Sequence, residues 1–148
     1  NRLRIVPRKG DVSWATLAAA SPLRNLPEAQ LKLLNAAPPA SAGPALALDV
    51  AYTGGVSFFD VTLDQPNCAL TFLNMAVPAG YTWSFTVRLV QGTGANQVTF
   101  PAAIHWPAER PPLLSYEAGA ADLVTFTWDG AHWLGLHEGS WFNVSSPA

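Results

Sequence analysis

The sequence contains little charge, little lysine and almost no sulfur. Of its 148 residues only 12% are charged, two are Lys, one is Cys and one is Met. A lone cysteine cannot form an intramolecular disulfide, which favours assembly in a reducing cytosol. No apolar run approaches the ~20 residues of a membrane helix, and no charged-then-apolar leader opens the chain. Thirteen Pro and eleven Gly exclude a coiled coil.

The charged and aromatic residues are distributed unevenly along the chain. Residues 1–44 hold six basic and two acidic side chains, a net charge of +4, whereas residues 45–148 hold two basic and eight acidic ones, −6. Trp14 is the only aromatic residue of the first part. The hydrophobic core is therefore expected in 45–148, a size suited to one domain.

Residues 1–44 are predicted to form an extended, basic, Pro-rich N-terminal arm and linker. Prolines interrupt any long hydrogen-bonded element, so only short helical turns are expected, at 14–20 and from Pro27 onward. The Pro/Ala stretch 36–44 is typical of a semi-rigid spacer. Because an arm of this length spans up to ~150 Å, it can cross a neighbouring subunit. Wrapping back over its own domain is the other possibility.

Residues 45–148 alternate between apolar and polar side chains, as half-buried strands do. At 83–89 the apolar residues Trp83, Phe85, Val87 and Leu89 alternate with polar ones. Similar runs lie at 45–52, 56–63, 68–74, 96–100, 122–128 and 132–137. Asp129-Gly130 predicts a hairpin turn, and Gly54-Gly55 and residues 92–94 predict further tight turns. The predicted fold is all-β, an antiparallel sandwich or jelly-roll-like barrel, with a long irregular excursion at 101–115.

Candidate metal and catalytic residues are few. His105, His132, His137 and Cys68 lack a familiar ligand spacing, so no metal site or cofactor is expected, and Cys68 is expected to fill the core. No Gly-x-Ser-x-Gly sequence is present, which disfavours a serine hydrolase. Paired carboxylates would suit a glycosidase, but outer-face and turn positions are the simpler assignment for Asp60, Asp64, Glu109, Glu117 and Asp122.

Two kinds of binding surface are also considered. Arg2, Arg4, Arg8 and Lys9 would neutralise nucleic-acid phosphates, but an arm lying on an acidic protein surface explains them as well and is preferred. Neither nucleic acid nor membrane is expected as a partner. Four tryptophans form either a sugar-binding platform or part of the core or a subunit interface: Trp106, Trp128, Trp133 and Trp141.

The second half of the chain resembles a small β domain of tailed-bacteriophage virion proteins, including terminal domains of some tail fibres. The likeness rests on LVQGTG at 89–94, QVTFP at 97–101, IHWP at 104–107, PPLLS at 111–115, AGAADLVTF at 118–126, WDG at 128–130, WLG at 133–135 and WF at 141–142. It extends more loosely to 63–74 and 79–83, so that it covers about two-thirds of the chain. The resemblance implies a non-enzymatic, oligomeric module on the particle surface.

The basic arm, which replaces the shaft of a tail fibre, makes the chain more similar to a capsid decoration (cement) protein. The likeness implies a homotrimer that is assembled in the host cytoplasm, stays on the capsid surface of the virion, and binds the major capsid protein and its own neighbouring copies. The alternative is a receptor- or carbohydrate-binding module of a tail fibre or tail tip, and a β-sandwich hydrolase is the third hypothesis. The predicted arm contacts are Leu3, Arg4, Ile5, Arg8, Trp14, Leu17, Leu23, Leu26, Leu31 and Leu34.

Overall fold

The computed structural model describes residues 35–144, and nearly all of their regular structure is β-strand. The all-β prediction is therefore confirmed. The strands are β1 (Asn35–Ala36), β2 (Ala40–Ser41), β3 (Ala45–Asp49), β4 (Val56–Leu63), β5 (Asn67–Leu73), β6 (Trp83–Gln91), β7 (Gln97–Thr99), β8 (Ile104–His105), β9 (Ala120–Trp128) and β10 (Trp133–Asn143). Two short 3-10 turns, Tyr52–Gly54 and Pro107–Glu109, complete the regular elements of the described residues.

The strands form two sheets. The larger sheet has the order β1-β4-β6-β9-β10-β8, with β2 also paired to β4, and the smaller sheet has the order β3-β5-β7. Successive strands alternate between the two sheets from β3 to β7, so the chain passes from one sheet to the other at each corner.

From β3 to β7, strands that are neighbours in the same sheet pair in parallel. β4 and β6 pair in parallel from Phe58 opposite Thr86 to Leu63 opposite Gln91. β5 pairs in parallel with both β3 and β7. Parallel neighbours need a long crossover, and here each crossover is the strand that lies in the other sheet. The result is a short β-solenoid of stacked coils.

The antiparallel sandwich or jelly-roll predicted from the sequence is therefore wrong in its pairing. Only β6 with β9 and β9 with β10 pair antiparallel in the described residues. Alternation of apolar and polar residues locates a strand but does not distinguish parallel from antiparallel neighbours. The glycines of the two other predicted turns, Gly54-Gly55 and 92–94, lie at corners between the sheets instead of at hairpins.

Most strand positions were predicted closely. β4 has the predicted bounds, 56–63, and the predicted alternation of 83–89 is confirmed in β6. The Asp129-Gly130 hairpin is also confirmed, because Trp128 and Trp133 are direct partners across it and Gly130 has a φ of 103°. The predicted excursion at 101–115 contains only β8 and a 3-10 turn.

The described part of the predicted linker contributes to the larger sheet. β1 and β2 both pair in parallel with β4, and Ala42 is only 3% exposed. Extended Pro/Ala backbone has nearly the same shape as a strand, and Pro38 and Pro39 lie between the two paired segments, where no ladder donor is lost. The described β structure therefore starts at Asn35, ten residues before the predicted domain boundary.

The core lies between the two sheets. Phe72 of the smaller sheet contacts Phe85 and Phe126 of the larger one, with ring centroids 5.1 and 4.8 Å apart. Cys68 is buried in this layer, as predicted for a core cysteine. The other fully enclosed apolar side chains are Val50, Val61, Leu63, Val87, Leu89 and Val124.

Trp106 closes one edge of the core. Its ring packs 4.9 Å from Phe100 and 5.8 Å from Phe126, between centroids. A Cβ at Gly135 would lie 2.5 Å from the Trp106 ring, so β10 needs glycine at this point. The irregular excursion thus supplies one large ring to the core.

Candidate functional site

A buried carboxylate lies at the centre of a polar cluster that joins three parts of the chain. Asp122 is 0% exposed, and its Oδ2 accepts a hydrogen bond of 2.9 Å from the Ser115 backbone N–H. Its Oδ1 accepts hydrogen bonds from the Ser115 hydroxyl at 3.1 Å and from His137 Nε2 at 3.0 Å. Because a carboxylate only accepts, the proton of each bond must come from the serine or the histidine.

Three separate parts of the chain meet at this carboxylate. Asp122 belongs to the inward-facing row of β9 that also carries Val124 and Phe126, and it stands opposite Leu89 of β6. Ser115 ends the irregular excursion, and His137 comes from β10. Asp122 therefore ties the excursion to the β9–β10 hairpin from inside the protein.

The cluster continues outward to Trp141. The Trp141 backbone N–H donates a 2.9 Å hydrogen bond to Ser115 Oγ, which in turn donates to Asp122. The pairing of β10 with β9 shifts register between His137 and Gly139 and again between Gly139 and Phe142. Trp141 lies in the second shift with a φ of 62°, a conformation that L residues rarely adopt.

Two exposed rings stand beside this cluster. Trp141 is 46% exposed and Tyr116 is 64% exposed, and their rings meet edge to face with centroids 4.7 Å apart. A recess of about 120 Å³ lies beside Trp141, and its other lining residues are Glu117, Ala118, Gly119, Ala120 and Asn143. An aromatic wall therefore borders a polar recess at the surface.

The contacts among Ser115, Asp122 and His137 differ from those of a hydrolytic triad. In Ser-His-Asp catalysis the histidine lies between the serine and the carboxylate, so that it takes the serine proton. Here Asp122 lies between the serine and the histidine, and Ser115 is only 1% exposed. The arrangement holds backbone segments together, and its serine is closed to a substrate.

A second buried polar cluster stabilises the corner between β6 and β7. The Gln91 side chain exchanges two hydrogen bonds with the Asn96 backbone, at 2.9 and 2.7 Å. The Asn96 side-chain amide donates to the Gln65 carbonyl of the preceding coil at 2.7 Å. A Cβ at Gly92 would lie 2.5 Å from the Leu63 carbonyl oxygen, so the two corners stack at closest approach.

The remaining candidate carboxylates are in the positions predicted for them, with one exception. Asp60 forms an ion pair with Arg88 on the outer face of the larger sheet, and Asp64 accepts a hydrogen bond from the Gly43 backbone N–H at a corner. Glu109 and Glu117 are exposed. The assignment of Asp122 to an exposed face is wrong, because its inward row on β9 encloses it.

The histidines and the cysteine are dispersed in the described residues. His105 and His132 lie 5.1 Å apart between ring centroids, while His137 binds Asp122. Burial raises the pKa of the Cys68 thiol, with a smaller contribution from the charge of Asp64. Within 35–144, no three side chains among His, Cys, Asp and Glu converge in a way that suits a metal ion.

The four tryptophans proposed for a sugar platform lie at different depths. Trp133 is buried and contacts Trp128, with centroids 5.8 Å apart, and Trp106 packs in the core edge. Trp141 alone of the four is among the exposed large residues. The four tryptophans therefore do not form one platform. The ring that contacts Trp141 is that of Tyr116, which is not among the four.

The predicted arm contacts, Leu3 to Leu34, lie outside the described residues. The described residues 35–144 themselves carry two basic and eight acidic side chains, a net charge of −6. None of the helices in this part of the chain is long and apolar enough to cross a bilayer.

Comparisons with known proteins add no relatives to this description. No protein-family model, no curated protein and no solved structure matches the chain.

Proposed function

We propose that this chain is a structural protein of a tailed-bacteriophage particle, a capsid decoration (cement) protein. In this proposal residues 1–34 bind the major capsid protein and neighbouring copies, and the β-solenoid body lies on the capsid surface. The observation that carries the proposal is the charge division, because residues 1–34 have a net charge of +4 and the described body has −6. Opposite charges favour association of the arm with the body of another copy.

The apolar residues of the arm would supply most of its binding free energy. Nine large apolar side chains lie in residues 1–34 beyond the shorter alanines and valines, among them Leu3, Ile5 and Trp14. Burial of such side chains stabilises a contact by about 25 cal/mol per Å². Ordering an extended arm costs conformational entropy, so many contacts are needed to offset it.

The smaller sheet offers backbone groups to such an arm. Within the described residues β3 and β7 each pair with β5 alone, so each has one edge outside the ladder. An extended segment can add to a sheet edge by backbone hydrogen bonds, which depend little on side-chain identity. Repetition of the contact around a trimer and over the capsid would convert modest affinity into avidity.

Co-sedimentation of the full-length chain with capsids that lack the decoration protein tests the proposal. Substituting Arg2, Arg4 and Arg8 by Glu should abolish co-sedimentation, whereas Arg110→Glu on the exposed surface of the body is the matched control and should bind normally. Light scattering should give three times the 15.8 kDa chain mass. Unimpaired binding by the triple variant, or a monomer that binds no capsid, would contradict the proposal.

The second candidate is a receptor- or carbohydrate-binding module at the tail. The exposed Trp141–Tyr116 pair favours it, since exposed rings beside polar groups are common in binding sites. The same arm variants separate the two functions. A decoration protein with a substituted arm would lose capsid binding, whereas a receptor module with a substituted arm would still adsorb to host cells.

A further inference from the structure

We propose that the Trp141–Tyr116 surface is a binding site for a single saccharide ring. The half-exposed Trp141 ring, which Tyr116 contacts edge to face, gives the recess of about 120 Å³ an apolar wall. The other lining residues are Glu117, Ala118, Gly119, Ala120 and Asn143. A pyranose has the matching chemistry, because its C–H face is apolar and its rim carries hydroxyl groups. The proposal deepens the carbohydrate-binding candidate above and rests on it, whereas it does not depend on how the arm anchors the protein.

The backbone conformation at Trp141 suits a ring that is positioned for binding better than one that is positioned for packing. A left-handed conformation is unfavourable for a non-glycine residue, and such residues cluster at functional sites. Trp141 has this conformation at a register shift of β10, and such irregularities redirect side chains near binding sites. A tryptophan needed only for packing would be expected on the inward row, where Trp133 lies.

The buried cluster holds both rings at once. Ser115 Oγ accepts the hydrogen bond of the Trp141 backbone N–H, and the Ser115 backbone N–H, one residue before Tyr116, donates to Asp122. Asp122 is therefore a positioning residue for both aromatic side chains. Rings that are fixed before binding lose little conformational entropy when a ligand stacks on them.

The polar part of the recess explains why a sugar is a better fit than a purely apolar partner. Glu117 is exposed, and its carboxylate has two acceptor oxygens for the hydroxyl groups of a ligand. The Gly119 carbonyl accepts a hydrogen bond of 3.2 Å from the backbone N–H of Val144, which ties this part of the lining to the residue after β10. Sugar hydroxyl groups can donate to the carboxylate, which an apolar partner cannot do.

Binding of the full-length protein to a printed array of defined oligosaccharides, including bacterial cell-wall and capsular fragments, tests the site. The strongest oligosaccharide is then titrated by tryptophan fluorescence and calorimetry, with sorbitol as an open-chain polyol control. We expect Trp141→Ala to weaken binding about tenfold or more. Tyr116→Ala should also weaken it, while Tyr81→Ala, which removes an equally exposed tyrosine elsewhere, should change the Kd by less than about twofold.

Asp122→Asn separates positioning from contact. It leaves both rings intact, so a loss of affinity supports the positioning role if acrylamide quenching also increases. Because the chain has six Trp, the quenching of Trp141 is obtained as the difference between spectra with and without the Trp141→Ala substitution. Circular dichroism of each variant at the titration temperature verifies folding. The proposal is overturned if no oligosaccharide binds or if Trp141→Ala and Tyr81→Ala bind alike. It is also overturned if the only effect of Trp141→Ala is a change in the mass of the oligomer measured by light scattering. That last outcome would make the surface a contact between copies, and none of the three would affect the capsid-binding test.

Discussion

Replacing Asp122 by Ala should be among the most destabilising single changes in the described part of the chain. The substitution removes the acceptor of three hydrogen bonds, from Ser115 N–H, the Ser115 hydroxyl and His137 Nε2. A buried donor without a partner costs about 1–3 kcal/mol, and bonds to a charged group contribute about 1.5–3 kcal/mol each. His137 is partly exposed and can bond to water instead, so its share is smaller.

The expected loss in the free energy of unfolding is about 3–5 kcal/mol for Asp122→Ala. Asp122→Asn keeps one acceptor oxygen but directs an amide toward donors, so about half of that loss is expected. Urea denaturation followed by circular dichroism, at one fixed protein concentration because an oligomer is expected, gives both values from the midpoint and the slope.

The control for this series is Glu138→Ala, which removes an exposed carboxylate from the same hairpin and should change stability by less than about 0.5 kcal/mol. A loss below about 1 kcal/mol for Asp122→Ala would refute the reasoning. It would mean that relief of the desolvation cost of a buried carboxylate offsets the lost hydrogen bonds.

Three further predictions concern packing, pH and the thiol. Gly135→Ala should lower the free energy of unfolding by about 1–3 kcal/mol in urea titrations, because the new methyl group meets the Trp106 ring, while Gly54→Ala, whose Cβ would meet no atom within 4 Å, is the control and should change it by less than about 0.5 kcal/mol. Hydrogen bonds from the backbone N–H groups of His132 and Ala131 lower the pKa of Asp129 in the folded state. Its contribution to stability is therefore present above the unfolded pKa of about 3.9 and is lost as pH falls through the folded pKa, so the urea midpoint should fall less between pH 6 and pH 2 in Asp129→Asn. Burial raises the pKa of Cys68, so iodoacetamide should label it only after urea unfolding, and rapid labelling of native protein at pH 7.5 would contradict its place in the core.

The positions of the strands could be predicted from the sequence because burial on one face imposes a period of two. The β9–β10 hairpin was predictable for a further reason, since Asp129-Gly130 is a turn signal and lies among the four residues that separate the partners Trp128 and Trp133. The sequence did not show which of the strands from β3 to β7 become neighbours in each sheet. Gly55 and Gly94 have positive φ as turn glycines do, yet they lie at corners from which the chain continues into the other sheet. The residues of a turn do not show whether the chain reverses into a hairpin or continues into the other sheet.

The candidate site was predicted only in fragments. Asp122 precedes Val124 and Phe126 in an alternating run, so the same period that located β9 also places the carboxylate on the buried row. Ser115 and Tyr116 follow a proline-rich excursion, and no periodicity connects them to Trp141, 25 residues beyond Tyr116. Their meeting depends on the register shifts of β10, which result from tertiary packing.

The reversal of direction at β9 limits how far this architecture can extend. A stack of parallel coils exposes ladder groups at its last coil and invites a second stack to continue it, which is the geometry of fibre growth. In the larger sheet, β9 pairs antiparallel with the edge of β6 that a further parallel coil would need. The two register shifts of β10 interrupt its regular pairing, so β10 is a poor template for another strand. The hairpin thus acts as a terminator, and a variant that straightened β10 would be expected to polymerise end to end.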